Sequence, residues 1–266
     1  MRRFLSVALL FSALTGCTGG GDPSTGGTET GNTSGLAIRV VGYQSSLAAN
    51  PAALTVGDLS VTTAKVVLDR IRFRPFSACQ DGAEDEGAAD VRFDGPFVVD
   101  LLNPGPLNDL EDIIVPNGLY CRIELVLKKF EDEGGSSDPM NGKSVLIEGA
   151  RNDGVPFQMV TEIDEEFELE NETTGFSIEA SDNFLQVFFI AFDLDQWFAG
   201  VDLNAPGVEI SGAPVILISD ASNETIQETI EENLKFSSDL FKDSDHNETL
   251  DPEEQEDSLA HGASVP

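Results

Sequence analysis

The sequence predicts a mainly β protein, an antiparallel sandwich that carries a short helix–loop–helix appendage at its C-terminus. Three observations lead there. Between residues 36 and 219, short apolar and β-branched runs alternate with turns rich in Gly, Pro, Asn and Asp, the pattern of many-stranded antiparallel folds. Arg151-Asn152-Asp153-Gly154 contains the Asp-Gly pair that two-residue hairpin turns favour. After Ser219 the period changes: Ile226, Ile230 and Leu234 recur every four residues with glutamates between them, which is the spacing of an amphipathic helix.

The chain begins with basic Met1-Arg2-Arg3 and an apolar run from Phe4 to Leu14. That run is too short for a transmembrane helix, which needs about 20 residues, and suits the apolar region of a signal peptide. It closes in Leu14-Thr15-Gly16-Cys17, which resembles the lipobox of bacterial lipoproteins. Proteins of that family are cut before the cysteine and acylated on it. The resemblance implies that residues 1–16 are a signal peptide and that Cys17 carries lipid, palmitate among its acyl chains. Thr18, rather than Asp, after the cysteine implies sorting to the outer membrane, facing the periplasm or the cell surface. Stable anchoring takes more than one acyl chain. With Cys17 included, residues 17–35 are rich in Gly, Ser and Thr and read as a flexible tether.

Residues 36–219 form the expected β domain. Leu36–Val41 opens it. Val61–Phe73 is long and β-branched, and Phe97–Leu102 follows a Gly-Pro turn. Leu119–Phe130 alternates in part, with Tyr120, Arg122 and Glu124 expected on one face and Cys121, Ile123, Leu125 and Leu127 on the other. Lys143–Gly149 and Val155–Ile163 flank the Asp-Gly hairpin. Glu165–Glu170 and Gly175–Ala180 flank a polar turn. Phe184–Phe192 is the most apolar run and the expected central strand. Asp195–Gly200 suits one helical turn, and Val215–Ile218 ends the series. Val99-Asp100-Leu101-Leu102, Val115-Pro116-Asn117-Gly118-Leu119-Tyr120, Arg122–Leu127 and the preceding Ala64–Phe73 are together similar to a family of uncharacterised bacterial lipoprotein domains. That resemblance covers about residues 36–218 and implies a secreted β-sandwich with no known chemistry.

Composition limits function. Asp and Glu number 48 against 15 Lys and Arg, a formal net charge of −33. Such a surface repels nucleic acid and anionic lipid and attracts divalent cations. Cys79 and Cys121 are an even pair in a chain expected to be exported, so a disulfide is expected, with two buried thiols as the alternative. Both histidines, His246 and His261, fall after residue 219. A β domain without imidazole lacks the base of Ser-His-Asp and Cys-His catalysis and the commonest zinc ligand. No catalytic residue is assigned and a non-enzyme is expected; a glycosidase built on paired carboxylates stays formally open. A polysaccharide-binding module is the further alternative, with Trp197, Phe198 and Tyr120 as candidate stacking residues. A surface glycan or protein partner would fit it.

Residues 220–266 form the expected acidic helical tail. A helix is expected over Ser222–Phe241, with Ser222 or Asn223 as its cap. Residues 243–254 follow. Taking Asp243 as position 1 puts Asp245 at 3, Asn247 at 5, Thr249 at 7, Asp251 at 9 and Glu254 at 12. This resembles the calcium loop of an EF-hand at every ligand position, with apolar Leu250 at 8. Ca2+ is a hard cation that takes six to eight oxygens, so alternate side chains must converge on it. The resemblance implies that Thr249 donates its backbone carbonyl and that Glu254 closes the shell with both oxygens. One position departs: Glu248 stands where the family has glycine for a left-handed turn, at a cost of about 1 kcal/mol. That departure and the absence of a second loop imply weak binding, with a Kd of about 10⁻⁴–10⁻³ M. The acidic loops Asp81–Glu86 and Glu131–Asp138 read as solvated turns.

Overall fold

A computed structural model describes residues 33–44, 54–80, 90–103, 113–131, 138–179, 186–204, 207–210 and 213–263. Cys17, the expected signal peptide, nearly all of the tether and the loop 81–86 lie outside the described residues. The described residues belong to one unit.

The chain is mainly β, with one large mixed sheet and two α-helices among the described residues. In chain order the strands are β1 (Thr33–Tyr43), β2 (Leu54–Val56), β3 (Leu59–Pro75), β4 (Val91–Asp100), β5 (Ile113–Pro116), β6 (Gly118–Leu127), β7 (Val145–Arg151), β8 (Pro156–Thr161), β9 (Glu165–Glu170), β10 (Phe176–Ile178), β11 (Gln186–Asp193), β12 (Val208–Ile210), β13 (Ala213–Ile218), β14 (Ser238–Lys242) and β15 (Ala260–Ala263). The helices are α1 (Leu194–Trp197) and α2 (Glu224–Lys235). The strands run in the order β12-β13-β8-β7-β3-β6-β9-β15-β14-β11-β1-β5, with β2 and β4 on β3 and β10 on β6. No helix among the described residues is long and apolar enough to cross a membrane.

Strands far apart in that order supply one buried cluster. Val61 and Ile71 of β3, Ile123 and Leu125 of β6, Phe157 of β8 and Phe188, Ile190 and Phe192 of β11 all belong to it, with Trp197 of α1 and Ile230 and Leu234 of α2. The sheet therefore bends round its own apolar face, and both helices pack onto the same cluster. All residues of β11 are buried, as its apolar run implies, but the strand stands third from one end of the order rather than at its centre. Backbone also links distant parts of the sheet. Gly42 N donates to Leu101 O at 2.8 Å, and Leu101 N donates to Ala64 O at 2.8 Å. A Cβ on Gly42 would lie 2.8 Å from Leu194 Cδ1 and 3.2 Å from Leu101 O, so this approach requires glycine.

Five expectations need correction. The sheet is not wholly antiparallel: β1 pairs with β11 and β8 with β13 in parallel. Apolar spacing reports which face of a strand is buried, not its direction, and neither pair is joined by a hairpin. Tyr120 lies in the main core rather than beside Arg122 and Glu124, because the pairing of β3 with β6 shifts between Arg74 and Pro75. The helix ends at Lys235, and Leu240-Phe241 lie in β14. Asn223 does not cap α2, since its side chain donates to Leu217 O at 2.7 Å. Nor do residues 220–266 form an appendage. β14 pairs with β11 along Phe188–Phe192, and β15 bridges β14 to β9, so the C-terminal segment completes the middle of the sheet.

Cys79, which follows a 3-10 turn at Phe76–Ala78, lies at disulfide distance from Cys121 of β6, with a Cα–Cα separation of 6.5 Å. The pair closes a loop over 42 positions, and a link of that length stabilises by about 2–4 kcal/mol through loss of chain entropy in the unfolded state. The double variant Cys79→Ser/Cys121→Ser is expected to lose that much in urea denaturation. Purified oxidised protein should show neither thiol on titration with a thiol reagent under denaturing conditions.

Candidate metal centre

Residues 243–254 leave the end of β14 and turn back to a 3-10 turn at Glu254–Glu256 that leads to β15. The segment begins in register with the sheet, because Asp243 N donates to Val187 O of β11 at 3.0 Å. Leu250 then packs into a second apolar cluster, with Val41 and Tyr43 of β1, Val187 and Phe189 of β11 and Phe241 of β14. That cluster is distinct from the main core. Its apolar contacts hold the middle of the loop to the sheet, so the carboxylates at either end are fixed by packing and not only by one another.

Asp243 is fully buried and Glu254 nearly so. Carboxylate oxygens of Asp243, Asp245 and Glu254 lie within 4.8 Å of one another, a group that can hold a metal ion. Each acid is oriented by the loop itself. Asp243 Oδ1 accepts from Asn247 N at 3.2 Å and Oδ2 from Glu248 N at 3.0 Å. Glu254 Oε1 accepts from Ser244 N at 2.6 Å, and Oε2 from Asp251 N at 3.2 Å. Asn247 Nδ2 lies between Asp245 Oδ2, at 2.9 Å, and Asp251 Oδ2, at 2.6 Å. Thr249 N donates to Asn247 Oδ1 at 2.7 Å. Of the six positions singled out in the sequence, the loop thus draws Asp243, Asp245 and Glu254 into one oxygen cluster. Asn247 and Asp251 are tied to it through the Asn247 amide, and Thr249 is tied to Asn247. To ligate a cation through Oδ1, Asn247 must turn its amide over and release these three hydrogen bonds.

Glu248 adopts φ 62° and His246 φ 63°, both left-handed. The position where the calcium-loop family has glycine does turn left-handed here, and Glu248 bears the strain. Its carboxylate pairs with Arg39 of β1, which ties the loop to a second strand. The sequence expectation of a flanking helix on each side is not met: a strand enters the loop and a 3-10 turn leaves it.

A second acidic group, Glu124 of β6 with Glu166 and Glu168 of β9, was not singled out in the sequence. It belongs to a charged ladder in which Arg72, Glu124 and Glu168 sit opposite one another across β3, β6 and β9. Arginines occupy it. Glu124 pairs with Arg72, Glu166 with Arg70 at 2.9 Å and Glu168 with Arg122 at 2.8 Å. These guanidiniums neutralise the carboxylates that a cation would need. The alternation Arg70-x-Arg72-x-Arg74 against Glu166-x-Glu168-x-Glu170 was the available signal.

Burial raises the Glu168 pKa to about 7, reinforced by Glu170 and opposed by Arg122. A carboxyl whose pKa is raised on folding stabilises most below its unfolded pKa and loses that contribution as pH rises through the folded value. For Glu168 the window runs from 4.5 to about 7. Glu168→Gln is therefore expected to raise the urea midpoint at pH 8 and leave it unchanged at pH 4.5. Arg122 keeps Glu170 at 2.7 Å and Glu172 at 2.6 Å. An equal change at both pH values would contradict the assignment.

The remaining candidates fall into place by burial. Trp197 is fully buried against Phe192, with Nε1 donating to Ser237 Oγ at 2.6 Å. Tyr120 is buried and donates to Pro116 O at 2.7 Å. Neither offers a face for stacking a sugar. His261 lies in β15 with Nδ1 2.7 Å from Asp239 Oδ1. The sheet thus gains an imidazole from the C-terminal segment, while residues 36–219 have none. Compared with known proteins, the chain matches no family model, no curated protein and no solved structure, so the likeness of residues 36–218 to lipoprotein domains rests on the sequence motifs alone.

Proposed function

We propose that this chain is a lipid-anchored protein of the bacterial outer membrane whose β domain is braced by one calcium ion, and that it works as a non-catalytic binding or structural module. The observation that carries the calcium assignment is the loop 243–254. Oxygen-bearing side chains stand at the alternating ligand positions, three carboxylates converge, and Leu250 is buried beneath them. An all-oxygen donor set suits a hard cation. The lipobox-like Leu14–Cys17 supports the anchor and, with it, a location outside the cytoplasm, where calcium reaches millimolar concentrations. A weak site would stay filled there and serve as a brace rather than a sensor.

Ligand binding to the folded state stabilises by RT ln(1 + [L]/Kd), about 1.4–2.7 kcal/mol at 10 mM calcium for a Kd of 10⁻³–10⁻⁴ M. For a domain of this size that corresponds to a rise in Tm of about 3–10 °C over the protein in EDTA. An unchanged Tm would count against the brace. Cys17→Ser should move the protein from the membrane fraction to the soluble fraction of expressing cells. Retention in the membrane would count against the anchor.

A further inference from the structure

A cleft of about 460 Å³ opens where three separate turns meet. They are the β2–β3 turn at Gly57-Asp58, the β7–β8 hairpin at Arg151–Asp153 and the chain that follows α1. Its floor is apolar, formed by Val56, Leu59 and Phe198, and Phe198 rests edge-on against Phe157 of the main core. Its walls are polar, with the carboxylates of Asp58, Asp195 and Asp202, the guanidinium of Arg151 and the amides of Asn152 and Asn204.

Four of the wall groups, Asp195, Arg151, Asp202 and Asn204, are held in place before any ligand arrives. Gln44, only 4% exposed, donates Nε2 to Asp195 Oδ1 at 2.7 Å and to Thr55 O at 2.6 Å. A buried amide is thus committed to orienting one carboxylate of the cleft. Arg151 is gripped by Asp153 through two hydrogen bonds, at 3.0 and 2.6 Å, and donates to Leu203 O at 2.8 Å. Asp202 Oδ1 accepts from Asn204 N at 2.9 Å and Asn204 Nδ2 at 2.7 Å. Groups fixed in this way lose little entropy on binding.

We propose that this cleft binds a neutral saccharide. Carboxylates accept hydrogen bonds and amides both donate and accept, which matches the hydroxyls at the edge of a sugar ring, while an apolar floor matches its C–H face. The volume lies within the usual range for small-molecule sites. Anionic sugars are disfavoured, because four aspartates surround a single arginine that Asp153 already engages. A bare metal ion is disfavoured too, because the acidic groups able to hold one among the described residues lie elsewhere. The inference uses none of the residues of the loop 243–254. It also replaces the stacking residues nominated from sequence: Trp197 and Tyr120 are core, and Phe198 contributes as floor.

The test is an immobilised array of neutral hexose and N-acetylhexosamine oligosaccharides with uronate and sulfated oligosaccharides as comparison, probed with the chain from residue 17 carrying Cys17→Ser. The expected result is binding to at least one neutral series, weakened at least ten-fold by Asp58→Ala and by Asp195→Ala. Asp58 is exposed at a turn, so its substitution leaves the fold intact by circular dichroism. Gln44→Leu should weaken binding less than Asp195→Ala, as a positioning residue would. The same binding should persist in EDTA, which separates this site from the calcium loop. Absence of binding to every neutral glycan, binding to anionic glycans alone, or binding untouched by both aspartate variants would overturn the proposal.

Discussion

Asp243→Ala is expected to lower stability by about 4–6 kcal/mol in 10 mM calcium. Asp243 is fully buried and its two oxygens accept the amides of Asn247 and Glu248. Hydrogen bonds to a charged group contribute roughly 1.5–3 kcal/mol each, so the two together account for about 3 kcal/mol. The lost calcium stabilisation comes on top. In EDTA the same substitution should cost less, because removing one carboxylate also relieves its repulsion with Asp245 and Glu254 at close range. Urea denaturation of both proteins in calcium and in EDTA measures the difference. A wild-type-like response to calcium in the variant would contradict the role of Asp243 as a ligand.

Leu250→Ala is expected to cost about 2–5 kcal/mol, the range for truncating a buried leucine with a cavity left behind. Leu250 is 1% exposed among Val41, Tyr43, Val187, Phe189 and Phe241. Most of that cost should persist in EDTA, since the lost contacts are apolar, and the extra cost in calcium is the binding that the variant loses. Calcium affinity should fall as well, because the loop then pays a larger ordering entropy on binding. The two variants therefore separate the packing of the loop from its charge. A cost below about 1 kcal/mol would mean that the loop does not depend on its apolar anchor.

Much of the site was legible because ligand chemistry is written in local spacing. The alternation from Asp243 to Glu254 needs no knowledge of distant contacts, and the missing glycine at Glu248 marked a position that does turn left-handed at φ 62°. β11 and the helical repeat Ile226–Ile230–Leu234 were legible for the same reason, since burial imposes its own period on the chain. Other features depend on which strands become neighbours. Phe241 continues the helical spacing in sequence from Leu234, yet it lies with Leu240 in β14, with Leu240 turned into the main core and Phe241 into the second cluster. A five-residue strand inserted between β11 and β15 has too few residues for period two to outweigh the helical pattern before it. The parallel pairing of β1 with β11 joins residues about 150 positions apart. Tyr120 changed faces at a register shift that no alternation pattern reports. The saccharide cleft draws on three turns that only the topology brings together.

The most direct measurement is isothermal titration of calcium into the chain from residue 17 carrying Cys17→Ser, beside the same protein with Asp243→Ala. One site per chain is expected, with a Kd of about 10⁻⁴–10⁻³ M, and no measurable heat of binding in the variant. No binding heat in the parent protein at 10 mM calcium, or equal heats in the two proteins, would contradict a calcium brace in the loop 243–254.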